Sequence, residues 1–139
     1  MKLTFLGTGT SIGVPEMRCH CQTCMSTDPH DKRLRTSALI ETDATKIIID
    51  CGPDFRQQAL RVDIEQLDAV IVTHEHYDHI SGVNVWRALT DAPVLCSKIC
   101  AERMQDSRKN MAHLFEAFCQ LQTWIKLEKM PDSEREYSC

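Results

Sequence analysis

The stretch Leu67 to His79, LDAVIVTHEHYDH, narrows the possibilities for this chain more than any other. Its first half is an apolar, β-branched run that reads as a buried strand. Its second half places His74, His76, Asp78 and His79 within six positions, and the whole chain has only six histidines. A strand that empties into such a loop belongs in a layered α/β fold, where loops leaving strand ends carry ligand-binding side chains. His74 and His76, two apart, can turn toward one point, while Asp78 and His79 can serve a second point nearby. Imidazole and carboxylate donors suit borderline divalent metals such as zinc, manganese or iron. Two such ions about 3.5–4 Å apart can hold a bridging hydroxide and clamp an ester or phosphate oxygen. A lone histidine is usually a surface or core residue, but four ligand-type side chains in six positions are not explained that way.

The flanking sequence supplies the layers. Residues 2–6, KLTFL, read as a strand closed by Gly7, and GTGTSIGVP after it is a loop. That loop is neither G-x-G-x-x-G opening a helix nor a P-loop, so it reads as a tight turn bringing backbone near a site. TSALIET and TKIIID, separated by Asp43 and Ala44, form a β-hairpin pattern. A helix is expected from about Pro53 to Arg61, with proline in its first turn. After the histidines, Ile80, Val83, Trp86 and Leu89 recur at helical spacing and predict one helix packed on the sheet. APVLC is a further short strand, a long helix is expected from about Ser97 to Cys119, and TWIKLEK alternates like one more strand. His113, inside that long helix, reads as a solvated residue and not a ligand. Alternating strands and helices with an early antiparallel hairpin define an α/β fold on a mixed sheet.

A second cluster lies in the polar segment at about 16–35, an irregular insertion. CHCQTC offers Cys19, Cys21 and Cys24 within six residues. Three thiolates at that spacing can wrap one zinc tetrahedrally and leave a corner for another ligand. A loop this polar has no core of its own, so a metal would give it shape. No signal-peptide core is visible at the N-terminus, which favours metal binding in a reducing cytoplasm over a disulfide framework for the eight cysteines. Cys51, Cys96, Cys100, Cys119 and Cys139 lack such spacing and read as buried or tail residues, Cys51 alone lying near the histidines. The formal net charge of −4 argues against a nucleic-acid or membrane-surface binder, since either wants a basic face. No run approaches the roughly 18 apolar residues of a membrane span.

H-x-H-x-D-H after an apolar strand resembles the metal-binding motif of the metallo-β-lactamase fold superfamily. FLGTGTSIGVP and IIIDCGPDFRQQ resemble the same superfamily and stand in the right order. The resemblance implies that His74 and His76 hold one metal, that Asp78 and His79 hold the other, and that Asp78 orients the attacking hydroxide. Asp50, in IIIDCG, matches a position that supports the ligand loop by hydrogen bonding, and it also fits as a cap of the turn after its strand. The cysteine loop after G-x-G-x-x-x-G-V-P resembles the branch containing the phosphoribosyl cyclic phosphate phosphodiesterase, whose fourth zinc ligand is a histidine near the domain's C-terminus. The cofactors implied are two divalent ions, zinc or manganese, and one structural zinc.

The superfamily domain has two αβ halves facing each other in an αββα arrangement, and the resemblance implies that residues 1–139 are one truncated domain, the N-terminal half. The later metal ligands are expected beyond residue 139. An isolated half would leave one sheet face and strand edges uncovered, so pairing into a homo-oligomer is one expectation. The function implied is hydrolysis of a small cyclic or nucleotide-like phosphodiester. The alternatives are a tRNA 3′-processing-type ribonuclease, because DCGPDFRQQAL resembles that branch too, and an inactive zinc-binding half-domain.

Overall fold

The computed structural model describes residues 1–88 and 90–114. Strand β1 spans Lys2–Gly7, and the cysteine segment that follows is irregular except for a short helix α1 over Gln22–Met25 and a 3-10 turn at Pro29–Asp31. The hairpin is β2 (Ser37–Glu41) and β3 (Lys46–Ile49). Its turn is closed by Thr42, whose Oγ1 accepts from the Thr45 N–H at 2.9 Å, a hydroxyl supplying the bond a backbone turn would otherwise make. Helix α2 (Phe55–Val62) crosses to β4 (Ala69–Ile71), and α3 (Tyr77–Ile80) and α4 (Val83–Arg87) cross to β5 (Val94–Leu95). Helix α5 (Lys98–Met104) and a 3-10 turn over Ala112–Leu114 complete the described part.

The five strands form one mixed sheet in sequence order, antiparallel from β1 to β3 and parallel from β3 to β5. This is the α/β architecture the sequence predicts. Leu39, Ile48, Val70 and Val94 lie opposite one another across four strands, and all are essentially inaccessible. Each such side chain contributes roughly 1.5–3 kcal/mol by leaving water. Phe55, Val83, Trp86, Cys100 and Met104 from the helices bury against that face, with the Phe55 and Trp86 rings edge to face at 5.8 Å. The opposite face carries Phe5, Ala38, Ile49, Ile71 and Leu95 in register. That row is only partly buried: Ala38, Ile49, Ile71 and Leu95 keep some accessibility and Phe5 is 69% exposed.

Two helix expectations change. The single helix after the histidines is two, α3 and α4, broken at Ser81 and Gly82 (Leu89 lies outside the described residues). The break has a tertiary cause. The His79 carbonyl accepts from the Cys51 N–H at 2.7 Å and the Gly82 N–H donates to the Cys51 carbonyl at 2.8 Å. Helical bonds are thereby exchanged for bonds to the turn after β3. The long helix stops at Met104 because Asp106 and Asn110 recruit backbone to their side chains. Asp106 Oδ1 accepts from the Arg108 N–H at 3.0 Å, and Asn110 Oδ1 accepts from the Ala112 N–H at 2.8 Å. His113 consequently lies in a 3-10 turn, exposed. The strand expected at TWIKLEK, together with Cys119 and Cys139, lies outside the described residues.

Gly52 is the tightest point of this seam. A Cβ there would overlap the Asp78 carbonyl oxygen, which is backbone and has no room to yield. Gly52→Ala is expected to destabilise the chain by about 1–3 kcal/mol through overpacking, read as a lower urea midpoint with an unchanged slope.

Candidate metal centre

Parallel pairing of β3 with β4 brings the carboxyl ends of the two strands side by side. Asp50 leaves one and Thr73 and His74 leave the other. Asp50 has φ 59°, a left-handed conformation that aspartate tolerates better than most side chains. Its carboxylate is buried and fully engaged. Oδ1 accepts from the Thr73 N–H at 2.8 Å, the Thr73 hydroxyl lies 3.0 and 2.7 Å from the two oxygens, and His79 Nδ1 is 2.8 Å from Oδ2.

These bonds determine imidazole tautomers. A carboxylate accepts only, so His79 directs its Nδ1 proton at Asp50. The single Thr73 hydroxyl proton goes to Asp50, so at the 3.1 Å contact with His74 Nδ1 the Thr73 oxygen must accept. His74 therefore also has its proton on Nδ1 and its lone pair on Nε2. A carboxylate or hydroxyl behind the ring is the arrangement that fixes a histidine as a metal donor. Burial, then the neighbouring His79 and His76 rings, lower the pKa of His74 from its ordinary 6.5, which keeps it neutral near pH 7.

The rings converge. The His74 centroid lies 3.9 Å from that of His79 and 4.8 Å from that of His76, and Asp78 Oδ2 is 3.4 Å from His79 Nε2. The four side chains picked out in the sequence thus lie side by side on one loop, and imidazole and carboxylate donors are of the type borderline divalent ions take. The loop is braced from behind by residues that pattern reading did not select. Glu75 accepts from Arg103 Nη1 at 2.9 Å, and the Tyr77 N–H donates to the Asn110 carbonyl at 2.9 Å. Thr73, inside the quoted motif, was legible in principle as a hydroxyl preceding the first histidine. Arg103 and Asn110 carry no local signal.

In the cysteine segment the three sulfurs of Cys19, Cys21 and Cys24 lie within 4.8 Å of one another, and among the described residues only this trio of ligand-type atoms is that compact. Backbone N–H groups aim at two of the sulfurs, Glu16 at Cys24 and Cys24 at Cys21. The Cys24 N–H, followed by the Cys19 and Cys24 thiols, lowers the Cys21 pKa and so favours the thiolate that binds metal. Cys51, Cys96 and Cys100 are buried, and burial pushes the Cys100 thiol up to about 12. They are packed, unreactive thiols. Among the described residues no helix is long and apolar enough to cross a membrane.

The metallo-β-lactamase superfamily model matches residues 30–118, more than half of the chain, and the chain belongs to that superfamily. A crystal structure of a diphosphatase from the PhnP family superposes with a TM-score of 0.72 at 36% identity, over 93% of this chain and 50% of that one. A Porphyromonas gingivalis protein named octanoyltransferase is 60% identical over 90 residues, 64% of this chain and 18% of that protein. Ribonuclease Z of Methanopyrus kandleri is 32% identical over 83 residues, 58% of this chain and 24% of that protein. The chain therefore spans half the length of the solved relative and less than a quarter of either curated one.

Asp50→Asn keeps the shape and tolerates the left-handed backbone but removes the carboxylate charge behind two rings. It is expected to weaken zinc or manganese binding by about 10–100-fold in competition with a chromogenic chelator. Unchanged affinity would show that the rings are oriented by something else. Cys21→Ser is expected to remove one equivalent of zinc measured by elemental analysis and to leave the histidine loop's metal content intact.

Proposed function

We propose that the chain carries the metal-ligating loop of a metal-dependent hydrolase, and that the reaction is hydrolysis of a small cyclic or nucleotide-like phosphodiester. The observation that carries this reading is the Asp50 network. It holds the His79 ring directly and the His74 ring through Thr73, beside His76 and Asp78. His74 and His76 would hold one divalent ion, zinc or manganese, and Asp78 and His79 a second. When bound, such ions polarise phosphoryl oxygens and bring the pKa of water toward neutrality.

The remaining steps fall to side chains. Asp78, beside His79 Nε2, would accept a hydrogen bond from the attacking water and aim it in line with the leaving oxygen. Asp50 and Thr73 keep the imidazoles from rotating. Cys19, Cys21 and Cys24 would take a structural zinc that shapes the loop ahead of β2. The likeness to a PhnP-family diphosphatase supports phosphorus chemistry as the substrate class. The likeness to ribonuclease Z supports a second reading, a tRNA 3′-processing-type ribonuclease. The net charge of −4 weighs against that polyanionic substrate.

Elemental analysis combined with a bis(p-nitrophenyl) phosphate assay tests the proposal. The expected result is two metals beyond the cysteine-bound zinc, with turnover that His76→Ala lowers by more than about 100-fold, beyond the effect of losing a ligand's hydrogen-bond partner. Zinc at the cysteine loop alone, with no hydrolysis, would overturn it in favour of a zinc-binding half-domain without activity.

A further inference from the structure

A cavity of about 770 Å³ opens beside His76 and Asp78. One wall is the glycine loop and the start of the cysteine segment, through Ile12 and Met17, and the other is the last described turn, through Met111 and Leu114. These four apolar side chains are 41 to 92% exposed. Soluble proteins seldom gather that much apolar surface around one concavity unless something binds there. Two of the four are methionines, whose unbranched thioethers adapt to differently shaped partners.

The charge on the walls points the same way. Among the described lining residues Arg35 is the one fixed cation, and it is already committed. Its Nε donates to the Ser11 carbonyl at 2.7 Å and its Nη1 to Asp54 Oδ1 at 2.8 Å, while its backbone N–H donates to Asp54 Oδ2 at 2.8 Å. Glu16 and Asp78 add two carboxylates to the lining. Asp78 belongs to the proposed metal set, so a second phosphate placed there would meet the Glu16 carboxylate and an arginine whose charge Asp54 already offsets. An uncharged group would meet apolar walls and incur no such repulsion.

We propose that the cavity receives an uncharged, apolar organic substituent of the substrate, aryl or alkyl, and excludes a second phosphate. The substrate class is thus a phosphodiester with one bulky neutral ester arm. This rests on the phosphodiesterase reading for the identity of the reacting group, but the cavity's preference is measurable without turnover.

Calorimetric titration of the chain without added catalytic metal, with 1-naphthyl methyl phosphate, dimethyl phosphate and pyrophosphate, separates the two. Burial of the naphthyl group is expected to make the first bind at least about tenfold more tightly than either of the others. Met17→Glu is expected to erase that advantage, and Leu114→Gln to reduce it, with thermal midpoints confirming that both variants fold. Equal affinities, or tighter binding of pyrophosphate, overturn the proposal. So does a Met17→Glu chain that binds naphthyl methyl phosphate undiminished, because Met17 would then form no part of the binding wall. A retained naphthyl preference with no hydrolysis of any diester after metal loading leaves the cavity's role standing and sinks the phosphodiesterase reading alone.

Discussion

The buried Asp50 carboxylate is the interaction on which the rest of the site depends. All of its polar groups are engaged. The backbone N–H donates to the Ile71 carbonyl, the backbone carbonyl accepts from the Ser37 hydroxyl, and the carboxylate takes up Thr73 and His79. One residue therefore ties β2, β4, the histidine loop and α3 together. A carboxylate removed from water is stable only when its lone pairs are satisfied, so these partners hold Asp50 as firmly as it holds them. The left-handed backbone, about 1–2 kcal/mol unfavourable for a residue with a Cβ, is the cost of aiming that side chain at both strands' ends.

Much of this was legible in the sequence because it is written in short-range pattern. The hairpin, the strand feeding the histidines and the α/β class follow from alternation and apolar runs that local sequence specifies completely. The identity of the four convergent side chains was legible for the same reason: they sit on one loop. What was not legible depends on contacts between distant segments. The helix expected through Ile80, Val83 and Trp86 has the right periodicity, yet two backbone bonds to Cys51, some thirty residues earlier in the chain, interrupt it. The helix expected from Ser97 fails at Asp106 and Asn110, where short polar side chains outcompete i→i−4 bonding. Arg103 reaches Glu75 across the fold, and no spacing rule announces such a pair.

The sheet has two unlike faces, and this gives the family relationship a physical content. The row Leu39–Ile48–Val70–Val94 is closed by helices, whereas the row through Phe5, Ala38, Ile49, Ile71 and Leu95 is equally apolar and remains partly open. A solved relative at TM-score 0.72 is twice as long as the part matched here. The histidine loop leaves the sheet at the ends of β3 and β4, on the margin between the closed layer and the open one.

The seam at Gly52 and Gly82 has a consequence for how such a loop diversifies. Where the Asp78 backbone presses on Gly52, and Gly82 on the Cys51 and Gly52 carbonyls, the main chain has no slack in either direction. It behaves as a jig, with side chains as interchangeable fittings. Exchanging a donor on the jig alters the chemistry offered at that spot while the backbone stays put. Moving the backbone instead would require both glycines, the turn after β3 and the start of α4 to shift together. Variation in a fold built this way runs through the identity of its fittings and the walls around them, and hardly at all through the frame.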